Sequence, residues 1–384
     1  MDRVQKALRE GETAELLGLD NVVAVGRARK VKAGRETGSM AVKVFTTAKV
    51  PKELLRPDQR IPRSVSKVQT DVEEIGEMPP LPLCDGDEFP DKPYGYRDPF
   101  MIGDEIGPER HSQAGTITAI IRVPGTSLSG HPLGGDFALT CHHVVHPKWQ
   151  KLDTIGRGVT QPAYNWSDQP DKRRIGKVVA QMAPRPDLVC RVDSALIQLD
   201  GVTENPKAPA KGWRTPGTQW DSWLDYMHDS GTFCYYGGTP IIGRPHYHAD
   251  FNALVRDVRA SGLARPTPAG FGTVEIGDPV WKAGRSTGIT HGIVHATDLI
   301  IRTDYGGVTG WVIFTDQILV KRIKGDPEIC KGGDSGAPVL DEDNNIVGQV
   351  RAGNSRYYVT PTIQAVLRGV LPSVEALNIN REVS

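Results

Sequence analysis

Ser335 stands in Cys330-Lys331-Gly332-Gly333-Asp334-Ser335-Gly336-Ala337-Pro338-Val339, among three glycines and directly after an aspartate. Glycine is used where a backbone needs positive φ or a close approach. A serine on such a turn can present its hydroxyl while neighbouring N–H groups converge on one point. That pairing of nucleophile and oxyanion donors is what acyl transfer requires. On these ten residues alone, a Gly-rich turn with an incidental serine is an equal reading, so a base and an orienting acid must come from elsewhere in the chain. His143 is the candidate base, at the end of the apolar run Ala138-Leu139-Thr140-Cys141-His142-His143-Val144-Val145. Its neighbour His142 would point the other way in extended backbone. Asp193 is the candidate acid, at the mouth of Ser194-Ala195-Leu196-Ile197-Gln198-Leu199. Each residue has a plain structural explanation by itself. Together, each at a strand boundary, they form a constellation.

The elements that must hold these residues are mostly strands. Gly 42 and Pro 29 in 384 residues favour turns and short strands over long helices. Segments with strand character are Ala114–Val123, Asp136–Thr140, Ile175–Ala180, Ala195–Leu199, Gly272–Ile276, Gly292–Ala296, Leu299–Arg302, Trp311–Phe314, Gln317–Val320, Val339–Leu340 and Ile346–Arg351. Such a series suggests barrels or a sandwich. Pro361–Leu371 has helical spacing. Ahead of the strands, residues 1–76 read as a small α+β unit: a helix over Asp2–Leu17, then strands at Val22–Gly26 and Met40–Phe45 with a hairpin signal at Gly34 and Gly38. Residues 77–109 read as a proline-rich linker and 110–375 as the main β domain. Residues 201–270 form a large insertion and 376–384 a tail.

Composition excludes several classes. Lys+Arg and Asp+Glu are both 46, so the balance suggests neither nucleic acid nor an anionic membrane as partner. No apolar run approaches the ~20 residues that span a bilayer. The charged start of the chain lacks the apolar centre of a signal peptide. Five cysteines without framework spacing point to a reducing cytoplasm. A metal site at Cys141-His142-His143, or at His246-Tyr247-His248 with Asp250, lacks a third well-spaced ligand. No metal and no cofactor is expected.

Ala138–Val145, Asp193–Leu199 and Gly333–Pro338 resemble the three active-site motifs of chymotrypsin/trypsin-like serine peptidases. Gly333-Asp334-Ser335-Gly336-Ala337-Pro338 matches the Gly-Asp-Ser-Gly-x-Pro motif without a departure. Val280–Val294 resembles a segment of the bacterial-type members. Residues 20–76 resemble an N-terminal unit found ahead of some non-secreted members. The resemblance implies two six-stranded antiparallel Greek-key β-barrels behind a small α+β domain, and a serine endopeptidase acting on protein or peptide substrates. It implies the triad His143, Asp193 and Ser335, with an oxyanion hole made by the N–H groups of Gly333 and Ser335. It also implies a substrate pocket with Ile329 at its base and Val350, Arg351, Ala352 and Gly353 as a wall; the apolar base favours a medium apolar or small side chain. The chain departs from secreted members at Val144, where they carry a cysteine, and it has no Ile-Val-Gly-Gly-like activation segment. Asp334 therefore needs another cation, for which Lys282 and Arg285 are the candidates. A catalytically silent peptidase fold used as a scaffold is the alternative function, and a regulatory partner could bind through residues 1–76.

Overall fold

The computed structural model describes residues 1–9, 12–81, 102–111, 113–123, 135–146, 154–161, 163, 174–200, 270–306, 309–323 and 328–370. The expected insertion up to residue 269, the His246/His248/Asp250 cluster, most of the proline-rich linker and the tail lie outside these residues.

Two helices open the chain, α1 (Arg3–Arg9) and α2 (Glu12–Leu17), where the spacing suggested one. Between them the sequence carries Gly11, a poor helix former. The Thr13 hydroxyl donates to the Ala7 carbonyl at 3.1 Å, occupying an acceptor that a continuous helix would use itself. Next come β1 (Val22–Lys32), β2 (Arg35–Thr46), β3 (Ser64–Val65) and β4 (Val68–Glu74). The β1–β2 hairpin turns on Ala33 and Gly34, both at positive φ, the geometry that matches the twist of paired strands. Gly38 lies within β2 instead.

The next stretch of chain runs through β5 (Glu105–Pro108), β6 (Gly115–Thr116), β7 (Ala119–Val123), β8 (Gly135–Thr140), β9 (Gly158–Thr160), β10 (Arg174–Met182), β11 (Val189–Cys190) and β12 (Ser194–Leu199); all but β11, which pairs parallel with β16 (Trp311–Arg322) of the second sheet, form the first β unit. Seven of them pair antiparallel in the order β6-β5-β9-β10-β12-β8-β7. Ile106, Ile117, Ala138, Val178 and Ile197 fill its interior. The short helix α3 (His142–Val145) follows β8 directly. His142 and His143 therefore lie on a helical turn, not on the extended strand end that the sequence suggested.

The second unit holds β13 (Gly270–Phe271), β14 (Pro279–Gly284), β15 (Gly288–Asp304), β16 (Trp311–Arg322), β17 (Pro338–Leu340), β18 (Asn345–Gln349), β19 (Ala352–Gly353) and β20 (Tyr357–Pro361), closed by α4 (Ile363–Val370). The sequence divides β15 and β16 into two strands each, yet both run on. Asp298 and Asp316 adopt positive φ on either side of the Leu299–Gln317 pair, where the register shifts. Aspartate tolerates this conformation, so the polar interruptions are bulges and not ends. No strand forms over Gly272–Ile276, where one was expected; the short strand β13 ends just before it, at Phe271.

The mainly β architecture of two strand units expected from the sequence is what the structure shows. The N-terminal strands continue the second sheet: β1 pairs antiparallel with β15, Ala24 opposite Ile301 and Ala28 opposite Ala296. Between the two units, Ala119, Leu139, Trp281 and Leu340 pack with Ile363 and Val366 of α4. That seam carries the candidate site.

Candidate active site

Three elements deliver the three chemical groups. β8 ends at Thr140, and α3 turns the His143 ring back over β12. Asp193 immediately precedes β12, the neighbour of β8 in the sheet. Ser335 comes from the turn ahead of β17 in the other unit. His143 Nε2 lies 2.6 Å from Ser335 Oγ. His143 Nδ1 lies 2.5 Å from Asp193 Oδ2, and the His143 backbone N–H donates to Asp193 Oδ1 at 3.1 Å. Two contacts from one carboxylate fix both the ring and the turn that carries it. The Nδ1–H facing the carboxylate leaves Nε2 free to accept the serine proton. Asp193 and Ser335 are fully buried and His143 is 7 % exposed.

Burial alone would raise the Asp193 carboxyl. The charge and hydrogen bond of His143, the charge of His142 and the Tyr305 hydroxyl together hold it well below the usual carboxylate range. Tyr305 donates to Asp193 Oδ2 at 2.5 Å, and its ring meets the His143 ring edge-on with centroids 5.8 Å apart. Arg351, expected as pocket wall, points its guanidinium away from the cleft. It donates to Gln317 Oε1, Thr303 Oγ1 and the Tyr305 hydroxyl, and it lies over the Phe314 ring at 3.8 Å. A buried cation thus stands one hydroxyl behind the buried acid. Sequence reasoning missed Tyr305 altogether and misassigned the Arg351 side chain; a tyrosine in a hairpin loop far from all three motifs carries no signal.

The nucleophile turn is stitched to the first unit by threonines. Thr116 donates its backbone N–H to the Ser335 carbonyl at 2.8 Å and its hydroxyl to the Gly333 carbonyl at 2.8 Å. The Thr118 hydroxyl donates to the Gly336 carbonyl at 2.6 Å. Gly336 has φ +85°, and a Cβ there would stand 2.1 Å from the Thr116 carbonyl oxygen, so both conformation and space exclude a side chain. Gln349 adds a third stitch, donating to the Asp193 carbonyl at 2.9 Å and to Ser194 Oγ at 2.7 Å.

Asp334 is fully buried and turns away from the triad. Lys282 Nζ approaches its Oδ2 at 3.4 Å. The remaining lone pairs accept the N–H groups of Ser286, Thr287 and Lys331 and the Thr287 hydroxyl. Arg285 does not reach Asp334. Its Nε lies 2.9 Å from Glu105 Oε2, a second buried pair across the seam. Burial raises the Glu105 carboxyl above its ordinary range despite that guanidinium. The two cation candidates therefore divide between two carboxylates.

Ile329 is fully buried in one apolar cluster with Cys330, Val350 and Tyr358. Ala352 and Gly353 form the short edge strand β19 beside it. Cys141, the remaining member of the Cys141-His142-His143 run, donates its thiol to the Val350 carbonyl.

No family model and no curated protein matches the chain. Solved structures similar to it include protease A of Thermobifida fusca, at 14% identity and a TM-score of 0.37, covering 70% of this chain and 93% of that one. A glutamic acid-specific serine protease that uses a histidine triad in substrate binding aligns at 12% identity and TM-score 0.37, over 70% and 96% of the two chains. A chymotrypsin of Cellulomonas bogoriensis aligns at 13% and 0.37, over 70% and 93%. Likenesses this distant carry no argument. The fold rests on the strand pairing described above, and the chemistry on the distances.

Proposed function

We propose that this chain is a serine endopeptidase that hydrolyses peptide bonds of protein substrates through an acyl-enzyme. The observation that carries the reading is the continuous chain Ser335 Oγ–His143 Nε2–His143 Nδ1–Asp193 Oδ2, with contacts of 2.6 and 2.5 Å. A buried serine hydroxyl held by an imidazole, itself oriented by a carboxylate, is an arrangement suited to nucleophilic attack at neutral pH. In the forward step Ser335 Oγ bonds to the scissile carbonyl carbon while its proton passes to His143 Nε2. The carbonyl oxygen becomes an oxyanion facing the Gly333 and Ser335 N–H groups. Collapse breaks the C–N bond, and His143 gives its proton to the departing amine. Water then repeats the sequence on the acyl-serine, releases the acid and restores Ser335. Asp193 stays ionised throughout and stabilises the imidazolium.

Cys141, Cys190 and Cys330 carry free thiols, which supports a reducing, cytoplasmic setting. Cleavage-site mapping on a whole-proteome digest, with wild type against Ser335→Ala, tests the activity. New N-termini that appear only with the wild-type chain are expected; identical maps from both proteins, and also from a pair in which Pro79 and Leu81 are replaced by glycine, would defeat the peptidase reading and leave the scaffold alternative.

A further inference from the structure

The first residues of the proline-rich linker do not wrap the surface; they lie in the cleft. Pro80 bridges Ala352 in antiparallel register, and the Gly353 N–H donates to the Pro79 carbonyl at 3.0 Å. The Gly333 N–H, an expected oxyanion donor, donates to the Leu81 carbonyl at 2.6 Å. The Leu81 N–H in turn donates to Ser335 Oγ at 3.1 Å. The Leu81 side chain is 6 % exposed and belongs to the apolar cluster of Ile329, Cys330 and Val350. One extended segment thus makes an edge-strand pairing, offers a carbonyl to the oxyanion donor and places a leucine among the pocket residues.

We infer that Pro79–Leu81 is a resident occupant of the substrate cleft, bound as the acyl side of a substrate with Leu81 at the residue to be attacked. The cleft accordingly takes extended segments ending in a leucine-sized apolar residue, and such substrates enter only when the resident segment leaves. The word substrate rests on the peptidase reading; the occupancy does not.

Three features of the chain fit a segment that stays. Pro79 and Pro80 have no N–H to satisfy and a φ already fixed near the extended value, so docking costs little backbone freedom. Asn354 anchors the approach by donating to the Ile75 and Glu77 carbonyls, both at 2.9 Å. In the sequence Leu81 is followed by Pro82, so the peptide bond after Leu81 is a tertiary amide without an N–H. Residues 1–76 then have a mechanical role: β4 pairs with β2, β2 with β1 and β1 with β15, so the segment leaves a framework fixed to the same sheet as the cleft.

Binding separates this inference from the catalytic one. The full chain carrying Ser335→Ala is titrated with fluorescein-labelled Met-Pro-Pro-Leu amide, followed by anisotropy. The same protein carrying Pro79→Gly and Leu81→Gly as well is expected to bind the peptide tenfold or more tightly, because apparent affinity scales with the open fraction of the cleft. A peptide ending in lysine is expected to bind neither. Pro79→Gly with Pro80→Gly keeps the buried Leu81 and serves where the first variant fails to fold; a threefold gain is expected there. Equal affinity in closed and opened proteins, or no binding by either, overturns the inference. A coumarin amide of the same peptide then reports turnover in proteins that retain Ser335. Binding by the opened protein without turnover in any form would sink the peptidase reading alone. Equal turnover by closed and opened proteins would sink the resident segment alone.

Discussion

Two clusters each set a carboxylate against a histidine, one at the N-terminal seam and one between the two strand units, and they differ in what they leave undone. At the N-terminal seam, Glu73 meets Lys43 at 2.9 Å, His295 at 2.9 Å, Lys321 at 3.3 Å and the Tyr357 hydroxyl at 3.0 Å, while Asp71 shares Lys43. Burial raises the Glu73 carboxyl, but His295 and Lys43 more than offset it and hold the group well below its usual range. Asp193 at the catalytic seam is depressed in the same way and for the same kind of reason. A perturbed buried carboxylate with a histidine beside it therefore does not define a site. At Glu73 each partner is a donor and the chain of contacts stops. At Asp193 the imidazole hands on to a serine hydroxyl, which sits beside a converging backbone N–H. The first cluster fastens β4 to the second sheet; the second has the arrangement that the proposed proton transfer requires.

The largest expected difference is in activity. Ser335→Ala is expected to lower kcat by about 10⁶ in a hydrolysis assay with the unfolding midpoint nearly unchanged, and Asp193→Asn by about 10⁴. Glu73→Ala should invert that pattern. Lys43 keeps Asp71, but His295 and the Tyr357 hydroxyl lose their carboxylate, which costs about 1–3 kcal/mol in denaturant unfolding, with kcat per folded molecule within about twofold of wild type. A Glu73→Ala chain that folds normally but loses turnover would break the contrast.

Acid titration gives the next effect. Because the folded pKa of Glu73 lies below the unfolded one, its contribution is fully present above about pH 4 and fades as pH falls further. Glu73→Gln is expected to be less stable than wild type at neutral pH and to lose less on acidification. Parallel stability–pH curves for the two proteins would rule this out.

The smallest effect sharpens the catalytic side. Tyr305→Phe removes one donor to Asp193 while keeping the ring against His143. It is expected to lower kcat by about tenfold with KM unchanged, about 1.4 kcal/mol on the barrier. A rise in KM alone would place Tyr305 in substrate binding instead.

What could be read from the sequence follows from range. The Ser335 turn, the His143 run and the Asp193 strand each carry their chemistry within ten residues, so local pattern revealed them. Thr116 and Thr118, which hold the nucleophile turn, lie more than two hundred positions away from it, and no local pattern ties a threonine to a distant carbonyl. Leu81 meets Ser335 across 254 positions and looked like ordinary linker. The strand class was legible from composition and alternation. The continuity of β15 and β16 was not, because an aspartate in a bulge and an aspartate in a turn look alike in one dimension.

The proposed chemistry requires Ser335 to be an activated nucleophile. A fluorophosphonate probe incubated with the Pro79→Gly/Leu81→Gly chain, followed by intact mass and peptide mapping, reads this directly. One adduct on Ser335 is predicted, with none when Ser335→Ala is added. A folded, opened chain that takes no adduct, or that is labelled equally without Ser335, would contradict it.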